Sequence, residues 1–313
     1  MNKTSTESQR ALLNELTQAQ RERLSYIDFK LYFLGELRRA DVVDRFGIGP
    51  AAATRDIAQY KEIAPENLIL DNVDKIYRLT DCFVPLFEHS PRRVLTSLSH
   101  GFGEVVGDAL KSMVRCEFPT ELSQPKMSVL APLTRAIYRG RAVKLIYTSV
   151  ESGRIEREIV PIALVNIGIR WHVRAFDRRR KEFRDFVITR MENPTVLENC
   201  SVGENEKVEN DLQWNRIIEL ELVPHPNHPR PEMVEMDYAM SDGVLRVKVR
   251  AANVGYMLRM SMVDCSPDHS LEGLEFALCL RDPLALYGAN NARLAPGYRD
   301  PRPDVQRGPV KAW

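Results

Sequence analysis

The chain has no run of roughly 18 apolar residues, so a membrane-spanning helix is not expected. Its opening stretch, MNKTSTESQR, lacks an apolar core of the signal-peptide kind, and no secretory signal is expected. Only five cysteines occur, at Cys82, Cys116, Cys200, Cys265 and Cys279, and no two stand as Cys-x-x-Cys. That spacing excludes a zinc ribbon or a thioredoxin-type motif and suits reduced thiols in a cytoplasmic protein. There is no Gly-x-Ser-x-Gly elbow for a serine nucleophile and no Gly-x-x-x-x-Gly-Lys-Ser/Thr loop for nucleotide hydrolysis. An excess of one charge is also missing: 44 Lys and Arg face 43 Asp and Glu, for a net charge of +1. A histone-like, purely electrostatic nucleic-acid binder is thereby excluded. No internal repeat or low-complexity tract is present.

What is present is ordinary globular composition, 44% hydrophobic and 28% charged, over 313 residues. Two or three domains are expected at roughly 100–200 residues each. The pattern predicts a multidomain α+β chain. Residues 1–23 read as a polar helical lead, and Ile27, Leu31 and Leu34 continue with helical spacing. A helix over Arg39–Phe46 is closed by Gly47, and another starts at Pro50 and stops before Pro65. LILDNVDKIYRL then reads as a hairpin. Helix, helix, short glycine turn, helix and hairpin form a winged helix-turn-helix, assigned to residues 1–80. A helical connector is expected over 81–128, with helical spacing from Arg92 to Met113. A second domain, 129–200, opens with one short helix. It continues with strands at Ala142–Ser149, Ile155–Pro161, Ala163–Asn166, Arg170–Phe176 and Phe183–Ile188, which suits a small barrel. Residues 201–232 read as a polar, proline-rich linker. The third domain, 233–287, shows strands at Leu245–Arg250 and Glu275–Leu280 and a helix at Asn253–Met260. The tail, 288–313, is rich in Pro, Gly and Arg and is expected to be mobile unless a partner chain holds it.

The helix from Pro50 has the chemistry of a DNA reader. Ala53, Ile57 and Tyr60 share one side, and Thr54, Arg55 and Gln59 fall on another. Arg pairs with guanine and Gln with adenine through two parallel hydrogen bonds. A small side chain such as Ala51 permits close approach and can touch a thymine methyl. Lys75 and Arg78 on the hairpin suit phosphates, which position a protein without reading sequence. Residues 1–80 hold twelve Lys/Arg and twelve Asp/Glu, so sequence-independent affinity should be weak and dimerisation should supply much of the binding. A helical bundle used only for protein contact would share the helical pattern. The glycine turn and the hairpin favour DNA.

Charge is segregated further along: from Arg154 to Arg190 there are ten Lys/Arg against five Asp/Glu. Within this stretch stand Arg170-Trp171-His172-Val173-Arg174-Ala175-Phe176-Asp177 and Phe183-Arg184-Asp185-Phe186-Val187-Ile188-Thr189-Arg190. Strand alternation places Arg170, His172 and Arg174 on one face, and Arg184, Phe186, Ile188 and Arg190 share a face on the next strand. Gathered guanidiniums suit an anionic ligand, such as a nucleotide, an oligonucleotide or a nucleic-acid end. The competing reading makes these charges a solvated face or pairs them with Asp177, Glu182 and Asp185; it is preferred for the turn Arg178-Arg179-Arg180-Lys181, and Trp171 reads as core.

The two segments resemble the signature of the WYL domain, with Trp171-His172-Val173 in place of the tripeptide that names it. Leu145-Ile146-Tyr147-Thr148-Ser149, Ile159-Val160-Pro161 and Leu164 are similar to the family's preceding strands. The resemblance is most specific over residues 129–198. The order winged helix, WYL domain and C-terminal extension is similar to the WYL repressors encoded beside bacterial anti-phage operons of the BREX and CBASS types. It implies a central Sm-like β-barrel, a C-terminal α/β extension, and ligand sensing by Tyr147, Ser149, His172, Arg174, Arg184 and Arg190.

Catalysis is not expected. His225 and His228 are flanked by prolines without a third metal ligand, and Glu204 with Glu206 stands in a polar loop without the strand a nuclease site needs. The expectation is therefore a homodimeric regulator on double-stranded DNA with an inverted repeat. An anionic nucleotide or nucleic-acid ligand would modulate it, with no metal, cofactor or membrane. Arg246, Arg250 and Arg259 are further candidates for ligand or partner contact. The alternatives are a nucleic-acid-activated enzyme or nuclease subunit, an adaptor that does not bind DNA, and an activator of the same architecture.

Overall fold

The computed structural model describes residues 12–100, 113–117 and 122–301. The chain divides into two compact units, residues 1–119 and 120–313. In the first, helix α1 (Gln18–Leu34) begins at a capping box: Thr17 accepts from the Gln20 N–H, and the Gln20 side chain accepts from the Thr17 N–H. The expected lead and first helix are thus one element from Gln18 onward, and residues 1–11 lie outside the described residues. After β1 (Glu36–Leu37) come α2 (Arg39–Phe46) and α3 (Pro50–Ile63), joined by Gly47-Ile48-Gly49. Gly47 has φ +60, a left-handed turn that an L side chain would strain. Strands β2 (Leu68–Asp71) and β3 (Ile76–Leu79) form the hairpin, and β1 adds to it in the antiparallel order β1-β3-β2. β1 escapes sequence patterning because two residues show no period.

One core joins Leu24, Ile27 and Leu31 of α1, Val42 of α2, and Ala53, Ile57 and Tyr60 of α3. The buried Asp28 ties this core together. It accepts from the Tyr60 hydroxyl at 2.5 Å and from the Leu86 N–H at 3.0 Å, and pairs with His89 Nε2 at 2.8 Å. Helix α4 (Pro91–His100) follows, and the remainder of the helix expected to Met113 falls mostly outside the described residues.

In the second unit, α5 (Met127–Arg139) ends at Gly140 and packs on a five-stranded antiparallel sheet. Its strands are β4 (Val143–Ser149), β5 (Gly153–Asn166), β6 (Trp171–Asp177), β7 (Glu182–Val187) and β8 (Met191–Val196), in the order β7-β6-β5-β4-β8. The two strands expected between Ile155 and Asn166 are one. Its register shifts between Pro161 and Ala163, since proline cannot donate to the ladder. β8 was not expected; Asn193, at φ +49, and Pro194 break its alternation where the β4–β8 register shifts. Among the described residues no ladder joins the edge strands β7 and β8, so the sheet is open where a closed barrel was expected.

The C-terminal part is a second antiparallel sheet, ordered β10-β9-β11, from β9 (Ile217–Pro224), β10 (Leu245–Arg250) and β11 (Leu278–Leu280). Helix α6 (Leu212–Asn215) precedes it, α7 (Pro231–Asp237) follows β9, and α8 (Val254–Met260) follows β10. The expected linker over 201–232 therefore contains the central strand. Ile218, Leu220 and Leu222 enter the core. Glu219 and Glu221 face outward and pair with Lys248, Arg246 and Arg281. The expected mobile tail also differs: Ala289, Ala292 and Ala295 are buried in the same core, because small side chains let that segment lie flat on α8. Residues 302–313 lie outside the described residues.

Candidate functional site

Helix α3 presents two faces of different chemistry. Ala53, Ile57 and Tyr60 are buried, whereas Ala51, Thr54 and Arg55 are exposed and Gln59 is half-buried. Buried Asp56 is held by Arg23 of α1 through two contacts, at 2.7 and 3.2 Å, which fastens the back of the helix. Thr54 donates its hydroxyl to the Pro50 carbonyl at 2.9 Å, leaving a methyl and a free acceptor lone pair outward. On the hairpin, Lys75 is exposed at the turn with φ +56. Arg78 is not a free cation: it faces Asp71 at 3.2 Å, Asp74 at 3.3 Å and Glu36 at 3.6 Å. A phosphate would have to compete with three carboxylates for it.

The other six candidates meet in the second unit. Tyr147, Ser149, His172, Arg174, Arg184 and Arg190 all line one cavity of about 680 Å3. Its opposite wall comes from the C-terminal sheet domain and the segment after it, through Gln213, Tyr256, Asn291, Arg293 and Tyr298. Sequence reasoning missed that wall, because nothing local marks a polar, proline-rich stretch as lining a cavity.

The expected faces hold within each strand, and the pairing of β6 with β7 decides which of them meet. Arg174 stands opposite Asp185, and Arg184 opposite Ala175, so the two arginines point to different sides of the sheet. Phe186 shares the face of Arg184, as expected, and lies in the core with Ile188. Arg174 is buried and fully engaged: Nε and Nη2 reach the two oxygens of Asp211 at 2.8 and 3.0 Å, and Nη1 reaches Asp185 at 3.2 Å. Burial alone would weaken its hold on the proton, but the bonds to Asp211 and the charge of Asp185 reverse this and raise its pKa. Arg174 is therefore a structural tie at the cavity wall. Tyr256 of α8 completes it by donating to Asp185 at 3.0 Å.

His172 is buried beside this tie, its ring 5.5 Å from that of Tyr256. Burial and the charges of Arg170 and Arg190 push its pKa down to about 4, so it faces the cavity as a neutral imidazole. The Tyr147 hydroxyl accepts from the Val187 N–H at 3.2 Å, across the sheet from β4 to β7. Ser149 pairs with Ser152 at 2.7 Å, and Ser152 accepts from Arg157, whose other arm holds buried Asp177 at 2.7 Å. Arg184 is half-buried and has Glu182 at 3.5 Å.

The remaining arginines divide. Arg178 grips Glu206 with two bonds of 2.8 Å, and Arg180 holds Glu151 at 2.7 Å, so these turn arginines are paired, but with carboxylates other than the expected Asp177, Glu182 and Asp185. Glu206 is thereby committed, and Glu204 pairs with Lys207. Arg246 pairs with Glu221, and Arg250 lies 4.7 Å from the Trp214 ring, so both serve the C-terminal domain itself. His225 holds Asp264 at 3.0 Å and accepts from the Asn227 N–H. Among the described residues no group of three His, Cys, Asp or Glu side chains could hold a metal.

Comparison with known proteins matches these parts in order. Residues 19–99 match the BrxR transcriptional regulator winged helix-turn-helix domain and residues 128–196 the WYL domain. Residues 217–286 match the BrxR transcriptional regulator C-terminal dimerization domain. The DNA-binding transcriptional repressor CapW of Escherichia coli (strain KTE188) is 31% identical over 277 residues, spanning 85% of this chain and 90% of that protein. The chain belongs to the CapW family. The CapW repressor of Pseudomonas aeruginosa is 30% identical over 288 residues with the same coverage, and that of Stenotrophomonas maltophilia is 32% identical over 249 residues, 77% of this chain and 82% of the relative. The resemblance carried by residues 129–198 thus holds, and it extends to both flanking domains. In this CapW-family chain the C-terminal match begins at Ile217, the first residue of β9, where the pattern alone had placed a linker. Among solved structures, proteasome accessory factor B/C of Arthrobacter aurescens is similar at 15% identity and a TM-score of 0.25. The match covers 92% of this chain but only 52% of that protein and carries no conclusion.

Proposed function

We propose that this chain is a homodimeric, sequence-specific DNA-binding repressor of an anti-phage defence operon, acting in the cytoplasm. An anionic ligand in the WYL cavity would set its affinity for DNA. The observation that carries the DNA reading is the division of α3: its inner face is locked into the winged-helix core while Ala51, Thr54 and Arg55 remain outside and Gln59 is half-buried beside them. Those are the side-chain types that read base edges in a major groove. Dimerisation through the C-terminal domain would place two such helices on an inverted repeat with half-sites about one helical turn, roughly 34–36 Å, apart. Lys75 contributes a phosphate contact, and Arg78 shapes the wing through its three carboxylates.

Support for the ligand reading is the convergence of Tyr147, Ser149, His172, Arg184 and Arg190 on one cavity of nucleotide-accommodating size. The reach of Tyr147 from β4 to the end of β7 supports an Sm-like curl of the sheet. Such a ligand changes DNA affinity only by preferring one dimer conformation over another.

The test is a nuclease footprint of the purified protein on the DNA upstream of its own gene, with Arg55→Ala alongside. Protection of an inverted repeat that weakens about tenfold or more in the variant is expected, given the energy of one bidentate base contact. Equal protection by the variant would remove α3 as the reader.

A further inference from the structure

Six arginines line the cavity, and four of them already face carboxylates. Arg157 holds Asp177 at 2.7 Å and Arg180 holds Glu151 at 2.7 Å, Arg174 is taken up by Asp211 and Asp185, and Arg184 has Glu182 at 3.5 Å. Arg190 and Arg293 differ: among the described residues neither is in an ion pair. They also stand on different walls. Arg190 closes the helical turn after β7 and is half-buried, whereas Arg293 is exposed in the turn Ala292–Leu294, beyond the C-terminal sheet domain. That segment is built rather than loose. Ala289, Ala292 and Ala295 recur at every third residue and hold its other side in the core. Gln213 of α6 donates to the Gly288 carbonyl and accepts from the Asn290 N–H, both at 3.0 Å. Asn291 accepts from the Gly255 N–H at 3.1 Å and donates to the Ala252 carbonyl, and the Pro296 carbonyl accepts from the Cys265 N–H at 2.8 Å. Asp211, which takes the charge of Arg174, also caps α6 by accepting from the Gln213 and Trp214 N–H groups, both at 3.1 Å. The two walls are thus tied together, and Arg293 is carried on backbone already fixed.

We propose that Arg293 is a ligand-binding residue, and that the cavity takes an oligonucleotide with two phosphates, one at Arg190 on the WYL sheet and the next at Arg293 on the other wall. This rests on the reading of the cavity as an anionic-ligand site and names what that ligand carries. An arginine without a carboxylate offers its N–H fork to phosphate with no partner to displace. Two such forks on separate walls fit phosphates set apart by a nucleoside better than one phosphate or the adjacent charges of a pyrophosphate. A volume of about 680 Å3 leaves room for that nucleoside. The rings of Phe183 and Tyr298 also line the cavity and are surfaces on which a base can stack. Because the second wall is already ordered, gripping a phosphate there loses little further chain entropy. A ligand held from both walls favours one arrangement of this segment against the sheet. The segment packs on α8, which lies within the part matched as the dimerization domain, so occupancy of the cavity reaches the dimer through it.

The experiment uses the full chain, free of DNA, and two probes: thymidine 5′-monophosphate, with one phosphate, and the 5′-phosphorylated thymidine dinucleotide, with two. Calorimetry at constant ionic strength gives each affinity, with thermal unfolding to confirm that each variant is folded. The unmodified protein is expected to bind the dinucleotide about tenfold tighter than the mononucleotide, the worth of one charge-assisted contact. Arg293→Gln should remove that advantage and leave the mononucleotide affinity within about twofold, whereas Arg190→Gln should weaken both probes about tenfold. Arg299→Gln removes the same charge from the same segment at an exposed residue that does not line the cavity, and should change neither affinity. Persistence of the full advantage in Arg293→Gln, or its equal loss in Arg299→Gln, would overturn the assignment of Arg293. Equal affinity of the unmodified protein for both probes would overturn the grip from two walls and leave the sheet as an anion site. Binding of neither probe would overturn this inference together with the anionic-ligand reading, while the footprint would still stand.

Discussion

At the scale of single residues, the second unit holds charged groups in two distinct ways. Arg174 and Arg178 have carboxylate partners that outweigh burial, whereas Asp177 offsets the burial of Arg157 only in part. At His172 burial, Arg170 and Arg190 all act to keep the proton off. Its pKa of about 4 in the fold lies below the ordinary 6.5. Between those values the unfolded chain binds a proton that the native chain refuses. Stability is therefore complete above pH 6.5 and falls as pH drops toward 4, by up to about 3 kcal/mol. Denaturation midpoints measured from roughly pH 7 down to roughly pH 4.5 should show this slope, and His172→Gln should flatten it. An unchanged slope in the variant would show that the acid sensitivity lies elsewhere.

Among the elements, the closest approach in the C-terminal domain is made by glycine. A Cβ on Gly255 of α8 would stand 1.9 Å from the Asn291 carbonyl oxygen, a backbone atom with no side-chain freedom to yield. The Gly255 N–H also donates to the Asn291 side chain at 3.1 Å. Helix α8 and the segment after Gly288 are thus packed backbone to backbone, and that segment supplies Asn291, Arg293 and Tyr298 to the cavity wall. Gly255→Ala is expected to cost about 1–3 kcal/mol by overpacking. It should also expose residues 288–300 to limited proteolysis, read by mass spectrometry of the fragments. Resistance equal to that of the unmodified chain would mean the segment is anchored by other contacts.

For the whole molecule, the balance of charge makes a prediction about DNA. Twelve cations and twelve anions share residues 1–80, and Arg78 is already enclosed by acids. Few phosphates can then be neutralised per half-site. The slope of log affinity against log salt for the dimer should be shallower than about −6, read by fluorescence anisotropy between roughly 50 and 200 mM salt. A slope near −10 would show that basic residues outside the winged helix reach the DNA.

The amino-acid sequence by itself determined the local elements and their faces. Gly47, Pro50 and Pro65 bound α2 and α3. The spacing of Ala53, Ile57 and Tyr60 settles which side of α3 is buried, and hence that Thr54 and Arg55 face out. Period and turn chemistry are local, so no distant residue was needed. The six candidates that the family resemblance implied line one cavity, but their partners there were not legible. Whether Arg184 or Asp185 stands opposite Arg174 depends on the register of β6 against β7, and a slip of one residue inverts every face. The partner that takes the Arg174 charge, Asp211, is 37 residues away and precedes another domain. The cavity's second wall arises the same way, from segments that meet only when two cores pack. Tertiary structure decided these because pairing and desolvation belong to the assembled surfaces and not to any one stretch of chain.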